Sequence, residues 1–306
     1  MKKIVIALIT MVLGAGPIAA AGNGQWVNVK GAKLWYEVRG GGRGTPLMVL
    51  NGGPGVSHEY MLVSAVWDSL ARHRRVIFYD QRGTGLSPAL AKGQSCTLAD
   101  QISDLDSLRS HLGFQRMDLL GHSWGGILAM AYAARHPRRI EHLIVCDSGA
   151  PKWDDTKFLF RDLFPDVSER QDALQFSELQ GDTAALHADF REYQSMLACD
   201  PSRRALLRDG PLPMYSPPVN AAVTADLRQF DLGPELPKFA FPTLVLTGRF
   251  DANVAPAIAW KIHRSIPRSE FTVFERSGHL PFFEEPAAFI ERVERFLSSG
   301  GAAIGR

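Results

Sequence analysis

A Gly-x-Ser-x-Gly pattern in the middle of the chain most constrains what this sequence can fold into. An apolar run over residues 117–120 leads into Gly121, Ser123 and Gly125, and an Ala-rich helical pattern follows at once. This combination predicts a strand, a sharp turn and a helix, with the serine hydroxyl standing above the edge of a sheet. Glycine is needed on both sides because larger side chains would collide with the strand or the helix. The sequence therefore predicts Ser123 as a nucleophile.

Strand and helix patterns alternate around this turn. Apolar runs predict an antiparallel strand pair over residues 25–39 and further strands at 46–50, 75–79, 140–146, 242–247 and 270–274, with helical patterns at 59–71, 97–112 and 286–297. In the helix at 97–112, Thr97 is the expected N-cap. Such alternation predicts an α/β fold with a mostly parallel sheet that helices cover on both faces.

The alternating pattern stops between residues 151 and 237. This segment is polar and aromatic, with helical stretches at 158–164, 168–179 and 183–198 and a Pro-rich stretch at 210–218. Because the strand pattern resumes afterwards, we interpret the segment as an inserted, mainly helical cap. It divides the core into a first part over residues 22–150 and a second part over 238–306.

Composition excludes several classes of partner. The chain has 306 residues, of which 45% are hydrophobic and 22% charged, and this fits one large α/β domain with an insertion or two modest domains. Lys and Arg number 34 against 32 Asp and Glu, so the net charge is only +2. A net charge this small gives no indication of nucleic acid or of an anionic membrane as a partner.

The first 21 residues have the three sections of a secretory signal. Basic residues 1–3 precede an apolar run at 4–13 and small residues at 14–21. We expect cleavage after Ala20 or Ala21 and a periplasmic or secreted protein. The alternatives are a buried strand and a membrane anchor, but the apolar run is too short to span about 30 Å of hydrocarbon.

Three cysteines are an odd count for an oxidising compartment. Cys146 lies in an apolar run and is expected to be a buried strand residue. Cys96 and Cys199 lie in polar contexts, and whether they form a disulfide is left open.

A serine hydroxyl needs a base to take its proton and a third group to orient that base. In this topology the chain order is nucleophile, acid, histidine. Asp251 follows the predicted strand at 242–247 and is the expected acid, with Asp147 after the strand at 140–146 as its rival. His279 follows the last predicted strand and is the expected base. His122 neighbours Ser123 but is expected to point elsewhere around the turn.

Two backbone amides are expected to form an oxyanion hole. Residues 51–55 read Asn-Gly-Gly-Pro-Gly after a buried strand, and this loop lets the Gly53 amide approach a reacting carbonyl oxygen. The second donor is the Trp124 amide at the start of the helix that follows Ser123. The sequence has no evident metal-ligand cluster or nucleotide-binding loop, so we expect neither a metal nor a cofactor.

Several motifs together resemble the proline iminopeptidase family of α/β-hydrolases. They are Asn51-Gly52-Gly53-Pro54-Gly55, Asp80-Gln81-Arg82-Gly83-Thr84-Gly85-Leu86-Ser87, Gly121-His122-Ser123-Trp124-Gly125-Gly126, Gly248-x-x-Asp251 and Gly278-His279. The resemblance covers about residues 33–297 and is weakest in the cap. It implies the α/β-hydrolase fold and the metal-independent release of an N-terminal residue, often proline, from peptides. One departure is Asn51, where the family usually has His.

The resemblance also implies that carboxylates of the cap bind the free amino terminus of the substrate. Glu178 and Glu192 lie on predicted cap helices and are the candidates, although either can equally be a solvated surface residue. A cap with no inward carboxylate would favour an esterase. Three functions are therefore carried forward: an exported aminopeptidase of small peptides, a carboxylesterase or lactonase of small esters, and a noncatalytic binding protein.

Overall fold

The computed structural model describes residues 24–298, in which eight strands form one sheet. The strands are β1 (Gln25–Val29), β2 (Ala32–Arg39), β3 (Leu47–Leu50), β4 (Val76–Asp80), β5 (Met117–His122), β6 (Ile140–Cys146), β7 (Thr243–Gly248) and β8 (Ser269–Phe274). Their order across the sheet is β1-β2-β4-β3-β5-β6-β7-β8. The β1–β2 and β2–β4 pairs are antiparallel and the others parallel. The predicted mostly parallel sheet is confirmed, whereas the predicted signal segment lies outside the described residues.

Helices cover both faces of this sheet. They are α1 (Val66–Ala71), α2 (Leu98–His111), α3 (Trp124–Arg135), α4 (Phe160–Leu163), α5 (Pro165–Leu179), α6 (Thr183–Ser195), α7 (Pro201–Asp209), α8 (Pro217–Leu227), α9 (Pro256–Ser265), α10 (Pro281–Glu284) and α11 (Pro286–Ser298). Apolar residues of α2, α3 and α9 join one buried cluster, and those of α1 and α11 join another. Every residue of β3, β4, β5 and β7 is buried, as expected for strands covered on both sides.

The order of the strands places the ends of β3 and β5 side by side. β3 lies between β4 and β5. The chain therefore passes from β3 to β4 on one side and then crosses to β5 on the other side of β3. In open α/β sheets, ligands bind at the carboxyl ends of strands where the order reverses in this way. The loop carrying Gly53 and the turn carrying Ser123 therefore open at the same edge.

Local sequence signals give the helix bounds with mixed success. Thr97 caps α2 as predicted, since its side chain accepts from the Asp100 amide while the Asp100 carboxylate accepts from the Thr97 amide. The single helix expected over residues 59–71 is wrong: a 3-10 segment at His58–Val63 precedes the short α1. The helical pattern is interrupted at Ser64, whose φ of −130° and ψ of 141° are extended, and the Asp80 carboxylate accepts from the His58 amide at 3.0 Å at the start of the 3-10 segment.

Five helices, α4 to α8, lie between β6 and β7. Those expected at residues 158–164, 168–179 and 183–198 correspond to α4, α5 and α6. The sequence analysis missed α7 and α8, although each has proline in its first turn, a position that proline favours. It also missed α9 and α10 in the second part of the core, which begin with Pro256 and Pro281.

All three cysteines are free. The buried Cys96 sulfur lies 3.4 Å from the Gln101 amide nitrogen, and the Cys199 thiol donates to the Arg276 carbonyl oxygen at 3.0 Å. These separate environments leave the two thiols unpaired. None of the helices within residues 24–298 has the length and apolar character needed to cross a membrane.

Candidate active site

Ser123 sits in a strained turn between β5 and α3. Its φ of 57° and ψ of −123° are unusual for a residue with a side chain. A Cβ at Gly121 would lie 2.1 Å from the Gly125 carbonyl oxygen, and one at Gly125 would lie 2.2 Å from that of Leu50. Both positions therefore exclude every other residue, which is the physical reason for the Gly-x-Ser-x-Gly pattern.

His279 and Asp251 meet at the same edge. His279 Nδ1 lies 2.8 Å from Asp251 Oδ2, and both side chains are buried. The other carboxylate oxygen, Oδ1, accepts from the amides of Asn253 at 2.8 Å and Val254 at 2.9 Å. These bonds fix the carboxylate, so Nδ1 carries the proton and Nε2 is left as the basic nitrogen of the imidazole.

The side chain of Asn253 contacts Nε2 of His279, the ring nitrogen that is not bonded to Asp251. Its Nδ2 lies 3.1 Å from His279 Nε2, and its amide also hydrogen-bonds to the Tyr193 hydroxyl of α6. Within the described chain no hydrogen bond joins Ser123 Oγ to His279, although both residues line one cavity. Catalytic hydrogen bonds are often loose before substrate binds, and a contact between these two groups requires the Asn253 amide to share or yield Nε2.

Asp147, the rival acid, lies beside this pair, but the carboxylate that contacts His279 Nδ1 is that of Asp251. Its Oδ1 accepts from the Gly248 amide at 2.8 Å and its Oδ2 from the Cys146 thiol at 3.2 Å. Burial and then the Asp251 charge raise the pKa of Asp147 well above its ordinary value. Sequence order alone left these two acids as competitors, and the hydrogen bond favours Asp251.

One atom each of Asp147, Asp251 and His279 lies within 4.8 Å of the others, which is also a spacing compatible with a metal site. The 2.8 Å between Asp251 and His279 is a hydrogen-bond distance. Ligands about 2.1 Å from a tetrahedral zinc ion stand roughly 3.4 Å apart. The separation therefore fits a shared proton better than a shared cation.

The loop after β3 lies directly against Ser123. A Cβ at Gly52 would approach the Ser123 Cβ to 2.8 Å. Asn51, the departure noted above, donates from Nδ2 to the Val56 carbonyl oxygen at 2.6 Å and so closes the loop on itself. The Gly52 amide is engaged by the Tyr60 hydroxyl. The neighbouring Gly53 amide stays a predicted donor to the substrate.

Trp124, the other predicted donor, is the first residue of α3. Its amide therefore has no carbonyl partner inside the helix. Its indole Nε1 donates to the Gln81 side-chain oxygen at 2.8 Å, and Gln81 Nε2 donates to the Asn51 carbonyl oxygen at 3.1 Å. One buried amide thus ties the turn after β5 to the loop after β3.

The rest of the Asp-Gln-Arg-Gly segment is a buried scaffold. The Asp80 carboxylate accepts from His58 Nδ1 at 2.8 Å and from the Leu86 amide at 2.8 Å. Arg82 makes a two-pronged ion pair with Asp104 of α2, with both N–O distances at 2.6 Å. The segment therefore supports the loops of the site and does not itself line the cavity.

His122 faces the site, contrary to the expectation that it points elsewhere. Its Nε2 lies 2.7 Å from the His279 carbonyl oxygen, so Nε2 carries the proton, and Nδ1 accepts from the Tyr60 hydroxyl at 2.7 Å. Burial, and then the nearby His279, lower the pKa of His122 well below its ordinary value. A neutral ring thus connects the Gly52 amide, through Tyr60, to the backbone of His279.

The cap closes a cavity of about 410 Å³ over Ser123 and His279. The wall that the cap supplies includes six aromatic residues, namely Trp153, Phe158, Phe160, Phe190, Tyr193 and Tyr215. Phe190 and Tyr215 stack with ring centroids 5.6 Å apart. Asp189 of α6 is the one carboxylate among the residues that line this cavity.

The predicted cap glutamates have different surroundings. Glu192 lies outside the cavity lining and forms an ion pair with Arg170 at 3.0 Å. Glu178 lies beside Asp189 and Tyr215, and its Oε1 is buried without a hydrogen-bond partner. The sequence analysis missed Asp189. The signal was the aromatic pair Phe190 and Tyr193, which marks the inward face of α6 on which Asp189 also lies.

Burial is the main cause of the raised pKa values of Asp189 and Glu178. It raises the pKa of Asp189, against a hydrogen bond from Gln171, and the charges of Glu192 and Asp172 add to it. Burial also raises the pKa of Glu178, and Asp189 adds to that rise. Within residues 24–298 no salt bridge joins either carboxyl to a cation. The pair therefore has unmet negative charge.

Comparisons with known proteins agree with this geometry. Residues 45–286 match the family described as the alpha/beta hydrolase fold. A proline iminopeptidase of Clostridium botulinum is 32% identical over 285 residues, which cover 87% of this chain and 94% of that protein. Two solved structures align with about nine tenths of this chain. A thermophilic esterase from Thermogutta terrifontis has a TM-score of 0.67, 26% identity and coverage of 89% of this chain and 98% of its own.

The second structure is the enol-lactonase from Burkholderia xenovorans LB400. Its TM-score is 0.70 and its identity 24%, with coverage of 90% of this chain and 100% of its own. At that identity it supports the fold alone. The match to the family over most of the chain, together with the relative at 32% identity, establishes the class of the protein. The chain is a hydrolase and belongs to the proline iminopeptidase family of α/β-hydrolases.

Proposed function

We propose that the protein is a serine aminopeptidase that releases an N-terminal residue, often proline, from small peptides. The observation that carries the proposal is the unmet negative charge of Asp189 and Glu178 in the cap. An ammonium group that leaves water needs anionic partners to offset its lost hydration. The free amino terminus of a peptide supplies that charge, and an ester has none to offer.

Ser123, His279 and Asp251 act as the proposed triad. His279 Nε2 takes the hydroxyl proton as Ser123 Oγ bonds to the acyl carbon of the substrate, and Asp251 stabilises the imidazolium that forms. His279 then returns the proton to the leaving amine as its bond to carbon breaks. Water, activated by the same base, hydrolyses the acyl-enzyme and restores Ser123.

The amides of Gly53 and Trp124 are the proposed donors to the oxyanion. Each such donor is worth about 3 kcal/mol of barrier in comparable sites. Their value depends on being held in place before the reaction. The Gln81 bridge and the Tyr60 contact with the neighbouring Gly52 support this role, because both restrain the loops that carry the donors.

The test is hydrolysis of three chromogenic compounds by the purified protein: a prolyl arylamide, its N-acetylated form and a short-chain aryl ester. We expect cleavage of the free-amine compound, abolished in Ser123→Ala, while the acetylated compound is left intact. Cleavage of both arylamides alike would contradict recognition of the amino terminus. Cleavage of the ester alone would replace the proposal with an esterase.

A carboxylesterase or lactonase of small esters is the second candidate. The aromatic wall of the cavity and the 26% identity to an esterase favour it, since neither feature requires an amine. Both candidates use the same proposed triad, so the ester and the acetylated arylamide are the compounds that separate them.

We also propose that residues 1–21 direct export. The support is the order of basic, apolar and small residues in that segment. Expression of the full chain in a bacterium, followed by fractionation and N-terminal sequencing, tests it. A mature protein in the periplasm that starts near residue 21 or 22 is expected, and an uncleaved cytosolic protein would refute export.

A further inference from the structure

Asp147, which follows β6, has a backbone conformation that is unfavourable in free energy. Its φ is 46°, and in the described part of the chain Ser123 is the only other non-glycine residue with a positive φ. Such a conformation costs of order 1–3 kcal/mol and persists where the surrounding structure enforces it, commonly at functional sites. Its carboxyl group is buried next to Asp251 and His279.

Among residues 24–298, no Lys or Arg side chain hydrogen-bonds to or forms an ion pair with Asp147 to balance a second anion. The groups that face it are the Cys146 thiol of β6, the Gly248 amide at the end of β7, the Asp251 carboxylate and the His279 ring. Only His279 can become cationic, and Asp251 already pairs with it. Two buried carboxylates this close do not both ionise, so one proton is shared between them.

The hydrogen bonds decide which carboxyl holds that proton. Asp251 accepts from two backbone amides and from His279 Nδ1. Asp147 accepts from one amide and from a thiol, which is a weak donor. Since bonds to a carboxylate stabilise its charged form, the negative charge belongs on Asp251. The raised pKa of Asp147 agrees with this assignment.

We propose that Asp147 is a positioning residue of the site: it stays protonated, donates a hydrogen bond to the Asp251 carboxylate, and leaves one negative charge facing His279. The inference rests on the triad proposed above. A second negative charge would hold His279 as an imidazolium, which cannot take the proton of Ser123. A neutral donor instead orients Asp251 and leaves the imidazole free to act as a base.

An infrared difference spectrum between the wild type and Asp147→Asn at neutral pH tests the protonation state directly. Asparagine tolerates positive φ as aspartate does, so this variant is matched for the backbone. We expect a carboxylic-acid carbonyl band that the variant loses and that shifts in heavy water. A spectrum in which the variant loses only carboxylate bands would overturn the proposal. No substrate is involved, so failure of the proposed function leaves this outcome readable.

Kinetics on whichever compound the protein hydrolyses test the positioning role. Asp147→Ala removes the donor, and we expect kcat to fall about tenfold or more, the effect of one hydrogen bond to a charged group, with KM little changed. Asp147→Asn restores a neutral donor and should recover most of the lost kcat. The acid limb of its pH profile of kcat/KM should lie at the same pH as in the wild type.

Two kinetic results would overturn the proposal. Equal losses in the Asn and Ala variants would show that donation to Asp251 is not what matters. An acid limb that moves down by about one pH unit in Asp147→Asn would show that Asp147 had carried a charge beside the base. If Asp147→Ala fails to fold, the Asn variant and the infrared spectrum still decide the matter.

Discussion

The two walls of the active-site cavity are built on different principles. In the core wall, hydrogen bonds between the protein's own groups restrain the loops: Gln81 bridges the two loops, and His122 joins Tyr60 to the His279 backbone, while the buried Asn51 side-chain oxygen has no hydrogen-bond partner. In the cap, Asp189 lines the cavity beside Phe190 and Tyr193, Glu178 lies next to Asp189 but outside the lining, and within residues 24–298 no salt bridge joins either carboxyl to a cation. Loops restrained by hydrogen bonds hold catalytic groups in place before the reaction, whereas an unmet charge calls for a ligand. The difference separates the residues expected to set the rate from those expected to choose the substrate.

Replacing the nucleophile should have the largest effect. Ser123→Ala removes the hydroxyl oxygen that is proposed to form the covalent bond to the substrate. We therefore expect kcat to fall by about 10⁴-fold or more. Since the alanine methyl fits where the serine Cβ lies, the melting temperature should change little. Steady-state hydrolysis and thermal denaturation are the measurements. A variant with a tenth of the activity would remove Ser123 from the proposed mechanism.

Neutralising the cap wall should change binding and spare the chemistry. For Asp189→Asn we expect KM for the prolyl arylamide to rise about 10- to 100-fold, the worth of a hydrogen-bonded charge, while kcat for an aryl ester stays near that of the wild type. Glu192→Gln is the matched control, because Glu192 lies on the same helix but pairs with Arg170 outside the cavity lining. Equal effects of the two variants on KM would break the distinction between the walls.

Tyr60→Phe tests whether the hydrogen bonds of the core wall affect the rate. It removes the acceptor of the Gly52 amide and the donor to His122 while keeping the aromatic ring. Because the loop beside Ser123 loses its anchor, we expect kcat to fall about tenfold with KM nearly constant, as when one buried hydrogen bond is lost. A rise in KM with kcat unchanged would place Tyr60 with the substrate-binding wall instead.

A smaller effect concerns stability and pH. The folded pKa of Asp147 is raised, so the stabilisation by its protonated form is complete below the unfolded pKa of about 3.9 and is lost as pH rises through the folded pKa. The unfolding free energy of the wild type, relative to Asp147→Asn, should therefore fall by up to about 1.4 kcal/mol per pH unit above pH 4. Urea denaturation at several pH values measures it.

Asp172→Asn is the control for that series. The bond to Arg161 lowers the pKa of the exposed Asp172, so any stability it contributes is present above its unfolded pKa and lost as pH falls through its folded pKa. The difference between this variant and the wild type should be flat above about pH 5. A parallel slope in both variants would mean that the trend does not come from Asp147.

The smallest expected effect is that of a reductant. Cys96 in the core and Cys199 in the cap have separate hydrogen-bond partners and are free. Dithiothreitol should therefore leave the melting temperature and the mobility of the denatured protein on a gel unchanged. A reductant-sensitive melting transition would show a disulfide between Cys96 and Cys199 and link the two walls covalently.

Sequence reasoning succeeded for the core wall because its signals are local. Gly121 and Gly125 are imposed by backbone contacts a few ångströms away, and the pattern that results is legible without the fold. The alternation of strands and helices along the chain likewise follows from short apolar runs. It failed for residues 59–71, where the chain is extended at Ser64 and a distant carboxylate on Asp80 binds the amide of His58, the first residue of the 3-10 segment.

Sequence reasoning did not identify the cavity-lining carboxylate of the cap, for a different reason. Of the acidic residues on α5 and α6, the one that lines the cavity is Asp189, whereas Glu192, three residues later on the same helix, pairs with Arg170. The rotation of α6 over the sheet decides between them. That rotation comes from packing against the core and the other cap helices, and no local pattern records it.

The sequence by itself determined the strained turn at Ser123, the alternation of strands and helices, and the loop positions of Asp251 and His279, because each depends on neighbours in the chain. The tertiary structure alone decided that Asp251 and not Asp147 bonds to His279, that His122 faces the site, and that Asp189 lines the cavity. These choices depend on distances between segments far apart in sequence, and hydrogen bonds and desolvation are set by those distances.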